Sequence, residues 1–223
     1  MENTIERAKE LMEKGWKARE DLDFTLAEKL LTEAKSIFEE LSDWYNVTEC
    51  LNHLAYNDKL KSGTILDHGI LLTKEAQAVV AEKNSKDTSV LRAEISLLSA
   101  HRQYEKALVV ARQLLEESEK PANKADILRH IAEFELRTGK LEKAQKSIEN
   151  AEELLDEGWE DEKEPHRSIW KVSLLLTKGL ISYNTGDIDS ARKQGQEALD
   201  LALEKDLKTR LTQAKDFLEM LEE

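Results

Sequence analysis

The sequence predicts an all-α protein made of repeated helical hairpins, and three observations carry that prediction. Only 2 prolines and 8 glycines in 223 residues leave too few turn residues for a sandwich or barrel. Small residues recur in one register along the chain, which is the mark of a repeat architecture. Apolar residues within each recurring segment follow the 3.6-residue period of a helix face.

The register is defined by a small residue preceded, three positions earlier, by a bulky apolar one. The pairs are Phe24/Ala27, Leu66/Gly69, Tyr104/Ala107, Leu141/Ala144 and Ile188/Ala191. Seven positions after each small residue stand Ala34, Ala76, Leu114, Ala151 and Ala198. Twelve positions before it stand Gly15, Asn57, Ile95, Ala132 and Gly179. The first small residues are 42, 38, 37 and 47 positions apart. Small residues suit points where two antiparallel helices cross closely, because a larger side chain would collide with the facing helix.

Each unit then reads as two helices. The first spans about 3–41, with Asp21 and Asp23 at its interhelix turn, where aspartate caps helices. The second, about 43–84, turns at Lys61-Ser62-Gly63-Thr64; the third covers about 87–119. In the fourth, about 122–157, Ile127, Leu128, Ile131, Ala132, Phe134 and Leu136 lie near one helical period. Thr138-Gly139 then stops the first helix, since glycine takes the left-handed conformation at a C-terminus without steric cost. A second stripe follows: Leu141, Ala144, Ile148, Ala151 and Leu155. The fifth unit, about 165–204, repeats this grammar with Gly186 as the stop and Asp187 as the cap. Pro121 and Pro165 fall at or just before helix starts, where proline is tolerated. Residues 206–222 carry Leu207, Leu211, Ala214, Phe217, Leu218 and Leu221 without a partner helix, the pattern of a capping helix.

This constellation resembles the tetratricopeptide repeat over nearly the whole chain. The likeness is strongest in units one, four and five. Unit two has glycine where alanine is usual, and unit three has Leu114 and Ile95 at small positions. The units are longer than the family's usual length of about 34 residues. The resemblance implies a single domain over 1–223, a right-handed superhelical solenoid of about five hairpins plus the cap. It implies a non-enzymatic protein-interaction module or adaptor that takes a peptide segment of a protein partner in its concave groove. A regulatory receptor for a small peptide is the alternative reading, and an enzyme built around His130, Glu133 and Tyr183 a remote one.

Family members line the groove with positions 18, 15, 14, 11, 8 and 7 before the first small residue of the second helix, and these share one helical face. In unit three this places Arg92 and Ser96 among small side chains; in unit four, Asp126, Arg129, His130, Glu133, Leu136 and Arg137. Unit five supplies Ser173, Leu176, Thr177, Leu180, Tyr183 and Asn184. Arg92, Arg129 and Arg137 are the candidates for partner carboxylates, since guanidinium forks match them bidentately. The competing reading pairs these arginines with Asp126 and Glu133 on neighbouring turns. Leu176, Leu180 and Tyr183 form the candidate shelf for an apolar side chain. The chaperone-tail clamp of the family is absent: Leu51, Leu54, Ala55, Asp58 and Ala93 occupy positions where it needs amides or bases. No helix-turn-helix precedes the first repeat, which disfavours a transcriptional regulator.

Catalytic and metal motifs are missing from the sequence. There is no phosphate loop, dinucleotide fingerprint, His-Glu-x-x-His or nucleophile elbow. Cys50 and His53 share a helix face but supply only half of a tetrahedral site, so no metal and no cofactor are expected. The single cysteine makes no internal disulfide. A formal charge of −13 repels phosphate backbones and argues against nucleic acid. Residues 152–164 hold eight acids against one lysine and read as a solvated loop at 156–164, or else as an acidic docking site. No apolar run is long enough for a membrane span, and no signal peptide opens the chain, so a cytoplasmic protein is expected, with self-association left open.

Overall fold

The computed structural model describes residues 2–61, 66–83 and 88–222. The turn expected at Ser62-Gly63-Thr64 and the expected junction of units two and three at 84–87 lie outside the described residues. Among the described residues the protein is entirely helical, with eleven α-helices and no strand. They are α1 (Glu2–Glu20), α2 (Phe24–Glu40), α3 (Trp44–Lys61), α4 (Leu66–Lys83), α5 (Ser89–Ala100), α6 (Tyr104–Glu117), α7 (Pro121–Arg137), α8 (Leu141–Glu157), α9 (His166–Asn184), α10 (Ile188–Glu204) and α11 (Lys208–Met220).

Two compact units divide the chain, Met1–Gln103 and Tyr104–Glu223. In the first, α1 pairs with α2 and α3 with α4, while α5 packs on α3 and α4. In the second, α7 pairs with α8 and α9 with α10; α6 packs on α7, and α11 on α9 and α10. Here α7, α9 and α11 contact one another in sequence and form one layer, with α8 and α10 behind it.

The small-residue register is buried where it is described. Ala27, Ala107, Ala144 and Ala191 are all fully buried, as are Ala34, Ala76, Ala151 and Ala198. A Cβ added to Gly15 would stand 2.8 Å from Leu31 Cγ, so the close crossing of α1 and α2 requires the missing side chain. Asn57 takes the equivalent place in α3, fully buried, and its Nδ2 donates to the carbonyl of Phe24 at 3.1 Å, which satisfies the amide nitrogen.

One turn design closes six of the helices. After α1, α2, α5, α7, α9 and α10, a single residue adopts positive φ: Leu22, Ser42, Arg102, Gly139, Gly186 and Asp206. The next residue donates back five positions, as Asp23 N to Ala18 O at 2.9 Å and Lys140 N to Glu135 O at 2.8 Å. This is the Schellman geometry, which satisfies carbonyls at the helix end. That same residue begins the following helix: Asp23 Oδ1 accepts from Leu26 N and Asp187 Oδ1 from Ser190 N, both at 3.0 Å. The Ser190 bonds hold the Asp187 carboxyl below the usual range, as expected of a charged N-cap.

Four of the six left-handed positions lack glycine, so their side chains pay a steric cost of about 1–2 kcal/mol. Leu22→Gly is therefore expected to stabilise the first unit by about 0.5–1 kcal/mol, the steric relief less the glycine entropy. Gly139→Ala, at φ 76° with open space around the new Cβ, should cost about 1 kcal/mol. Urea unfolding midpoints shifting in opposite directions would verify both; a lower midpoint for Leu22→Gly would refute the strain.

Cys50 lies in the apolar cluster of the first unit with Phe38, Val47, Leu51 and Ala76. Burial pushes its thiol up to about 12, with nearby Glu49 adding to the effect. A raised thiol pKa contributes stability that is present below the unfolded value of 9.0 and is lost as pH rises toward 12. Thiol-specific labelling at pH 8 should accordingly track unfolding of this unit; rapid labelling of the native protein would contradict it.

Candidate functional site

The open surface of the second unit follows directly from which faces of α7 and α9 are already used. On α7, Ala125, Ile127, Ile131, Ala132 and Phe134 face the interior, and the stripe left partly open is His130, Glu133, Leu136 and Arg137. On α9, Ile169, Val172, Leu174, Leu175, Gly179 and Ile181 are buried, while Ser173, Leu176, Leu180, Tyr183 and Asn184 remain accessible. Thr177 is the exception on that face, being buried and donating to the Ser173 carbonyl at 2.9 Å. Because α7 and α9 are neighbours in one layer and both lead their hairpins, the two stripes run side by side.

The groups on α7 differ sharply in availability. Arg129 is 8% exposed, and its guanidinium sits between Asp126 at 3.3 Å and Glu133 at 3.5 Å. It also donates from Nη2 to His130 Nε2. The His130 ring in turn stacks on Phe134, with centroids 5.8 Å apart. Arg129 therefore organises its own neighbours on adjacent turns, the arrangement expected of an i−3, i+4 carboxylate pair. Arg137, one turn beyond Glu133, is exposed and has no ion pair among the described residues.

On α9 the accessible groups are largely apolar. Leu176 and Leu180 are half-buried, and Tyr183 keeps 41% of its surface in solvent. Asn184 Nδ2 donates to the Leu180 carbonyl at 2.8 Å, which ties the amide to the helix end. Behind this face, Glu135 joins three helices: Arg112 of α6 donates to it at 3.2 Å and Ser147 of α8 at 2.8 Å. Lys178 of α9 bonds Glu152 of α8 at 2.5 Å. These contacts fix α7 and α9 from their far sides.

Arg92 and Ser96 belong to α5, in the first unit, and are half-buried there. Ser96 Oγ accepts from Lys59 Nζ at 3.0 Å. Lys59 also lies 5.4 Å from the centre of the Tyr56 ring, whose neighbour Arg19 stands 4.6 Å from it. Arg19 Nη1 further contacts His53 Nδ1 at 3.2 Å, so His53 is engaged by a cation. Lys59 and Arg19 are polar groups that sequence reasoning did not single out. Their partners are 37 and 34 residues away, and no local pattern announces such pairs.

The acidic stretch is more structured than a solvated loop. Glu152 to Glu157 complete α8, and only 158–165 connect it to α9. Trp159 packs against the core cluster of the second unit, and the Arg167 guanidinium lies 5.2 Å from its ring centre. Glu164 accepts from Arg167 Nε at 2.9 Å and from Ser168 Oγ at 2.8 Å. Partial burial opposes its charge, but the Ser168 and Arg167 bonds prevail and hold its carboxyl below the ordinary range. Asp156, Trp159, Glu160 and Lys171 border a shallow depression there, with Lys171 Nζ 3.7 Å from Asp156.

Among the described residues, no three of His, Cys, Asp and Glu are grouped to hold a metal ion, and no helix is long and apolar enough to cross a membrane. No family model matches the sequence, and no curated protein matches it. Solved structures do share its fold. BtubC (BKLC) from P. vanneervenii is 17% identical, with a TM-score of 0.58 over 92% of each chain. A tetratricopeptide repeat protein from Parabacteroides merdae is 14% identical, with a TM-score of 0.50 over 98% of this chain and 100% of that one. The fold of this chain is accordingly the all-helical hairpin repeat also found in tetratricopeptide repeat proteins.

Proposed function

We propose that this protein is a non-enzymatic interaction module and that its second unit binds a peptide segment of a partner protein across α7 and α9. The observation that carries the reading is the accessible row of Leu176, Leu180 and Tyr183 on α9, beside a charged row on α7. Apolar side chains left half-open on a rigidly backed face favour the burial of a partner's apolar side chain. Tyr183 adds a phenol that can bond to peptide backbone while its ring packs. Arg137 serves a partner carboxylate, being exposed where Arg129 is occupied by Asp126 and Glu133. His130 sets one wall through its stacking on Phe134, and Asn184 closes the end. Arg92 and Ser96 are assigned the same kind of contact within the first unit.

Removal of the anchor separates this reading from a purely structural role of α9. Leu180→Ala should weaken capture of the partner by at least about tenfold, the loss expected at a well-packed anchor. Tyr183→Ser should act in the same direction, and both variants should retain a cooperative thermal transition. Capture from a lysate of the source cells, read by mass spectrometry for wild type and variants, measures this. A partner held equally by all three proteins would place binding elsewhere and end the proposal.

A further inference from the structure

The sign of the charge on the proposed peptide follows from which group of the α7 cluster still reaches solvent. Arg129 is sequestered with its side chain 9% exposed, and Asp126 beside it is 8% exposed. Glu133 is the member at the rim, 26% exposed, and its ion pair with Arg129 is long at 3.5 Å. One cation thus stands between two carboxylates, and the carboxylate that faces outward keeps acceptor capacity for a donor from outside. A partner carboxylate laid on this rim would meet Glu133 at close range, and a like-charge juxtaposition is strongly unfavourable in a partly desolvated contact.

The spacing is set by the repeat itself. Glu133 stands 11 positions before Ala144 and Leu180 stands 11 before Ala191, so they occupy equivalent places on neighbouring helices. Packed helices lie about 8–10 Å apart. An extended chain crosses that distance in about three residues, at roughly 3.3 Å each.

We infer that the bound segment presents a cationic side chain, Lys or Arg, to Glu133, about three residues from the apolar side chain held by Leu176, Leu180 and Tyr183. The inference rests on the proposed peptide-binding role and adds the partner's chemistry to it. The guanidinium or ammonium donates to the open carboxylate oxygen, while Arg129 continues to hold the other side of Glu133. Arg137 stays available, one turn away, for an acidic group elsewhere on the same segment.

Three synthetic, fluorescently labelled octapeptides test it, each with one leucine anchor and with Lys, Gln or Glu three residues from it. At low salt the wild type should bind the Lys peptide at least about tenfold more tightly than the Glu peptide. Glu133→Gln should abolish that preference, and Glu133→Lys should invert it. Leu180→Ala should weaken all three peptides alike. Equal or tighter binding of the Glu peptide by wild type, or a preference that survives Glu133→Gln, overturns the inference while the Leu180 effect leaves peptide binding standing. Absence of binding by every peptide overturns both. Glu133→Gln is the decisive variant because it keeps the size of the side chain next to Arg129.

Discussion

Phe217→Ala is expected to destabilise the C-terminal unit by about 3–5 kcal/mol, the range for truncating a buried phenylalanine. The reason is specific to how α11 docks. Its Phe217 ring enters a space left by two glycines, Gly179 on α9 and Gly195 on α10. A Cβ on Gly179 would stand 2.7 Å from Phe217 Cζ, and one on Gly195 2.9 Å from Phe217 Cδ1. Such a slot gains its contacts only when the ring fills it, and its loss leaves a cavity bounded by helix backbone. The outward residues of α11, including Lys208, Thr212, Lys215, Asp216 and Glu219, are exposed and polar. Gly195→Leu should produce a comparable defect from the opposite side by evicting the ring. Both variants should lower the urea midpoint and expose α11 to trypsin at Lys208 and Lys215. An unchanged midpoint together with unchanged cleavage would contradict the slot.

Gly158→Ala is expected to cost about 1–3 kcal/mol although it adds only a methyl group to the residue after α8. The new Cβ would lie 2.6 Å from the backbone nitrogen of Ala122 and 3.0 Å from its Cβ. Backbone in the first turn of a helix cannot swing aside as a side-chain tip can, so α8 and α7 must separate at this end. Trp159, the next residue, would then lose its seat on the core cluster and its contact with Arg167. Gly139→Ala is the control, because its new methyl meets no atom within 4 Å and costs only conformational energy. A midpoint for Gly158→Ala no lower than that of the control would show that the approach of α8 to Ala122 relaxes freely.

The helical hairpins could be read from the sequence because close crossings demand small residues, and those leave a compositional trace. Ala144 and Ala191 needed no structure to be recognised, since their neighbours Ala151 and Ala198 repeat the demand two turns on. The stops at Gly139 and Gly186 were equally visible, because glycine advertises a left-handed residue. Leu22, Ser42, Arg102 and Asp206 adopt the same conformation with ordinary side chains, and nothing in their chemistry announces it. Long-range pairs were the least visible. Gly179 could be read as a small position, but its use by Phe217 is 38 residues downstream and depends on where α11 docks. At the candidate site the stripe on α9 could be placed from the repeat register. The sign of the α7 stripe could not, because Arg129, Asp126 and Glu133 share one face and only burial decides which of them meets solvent.

The proposed function puts the partner on the open face of α7 and α9. Amide chemical-shift mapping of the isotope-labelled full chain, titrated with the leucine-anchored Lys octapeptide, locates the bound segment residue by residue. Shifts should concentrate at His130, Glu133 and Arg137 on α7 and at Leu176, Leu180 and Tyr183 on α9, and saturate together. Shifts centred instead on the acidic connection at 158–165, or on the outer helices α8 and α10 without change on α7 and α9, would contradict it.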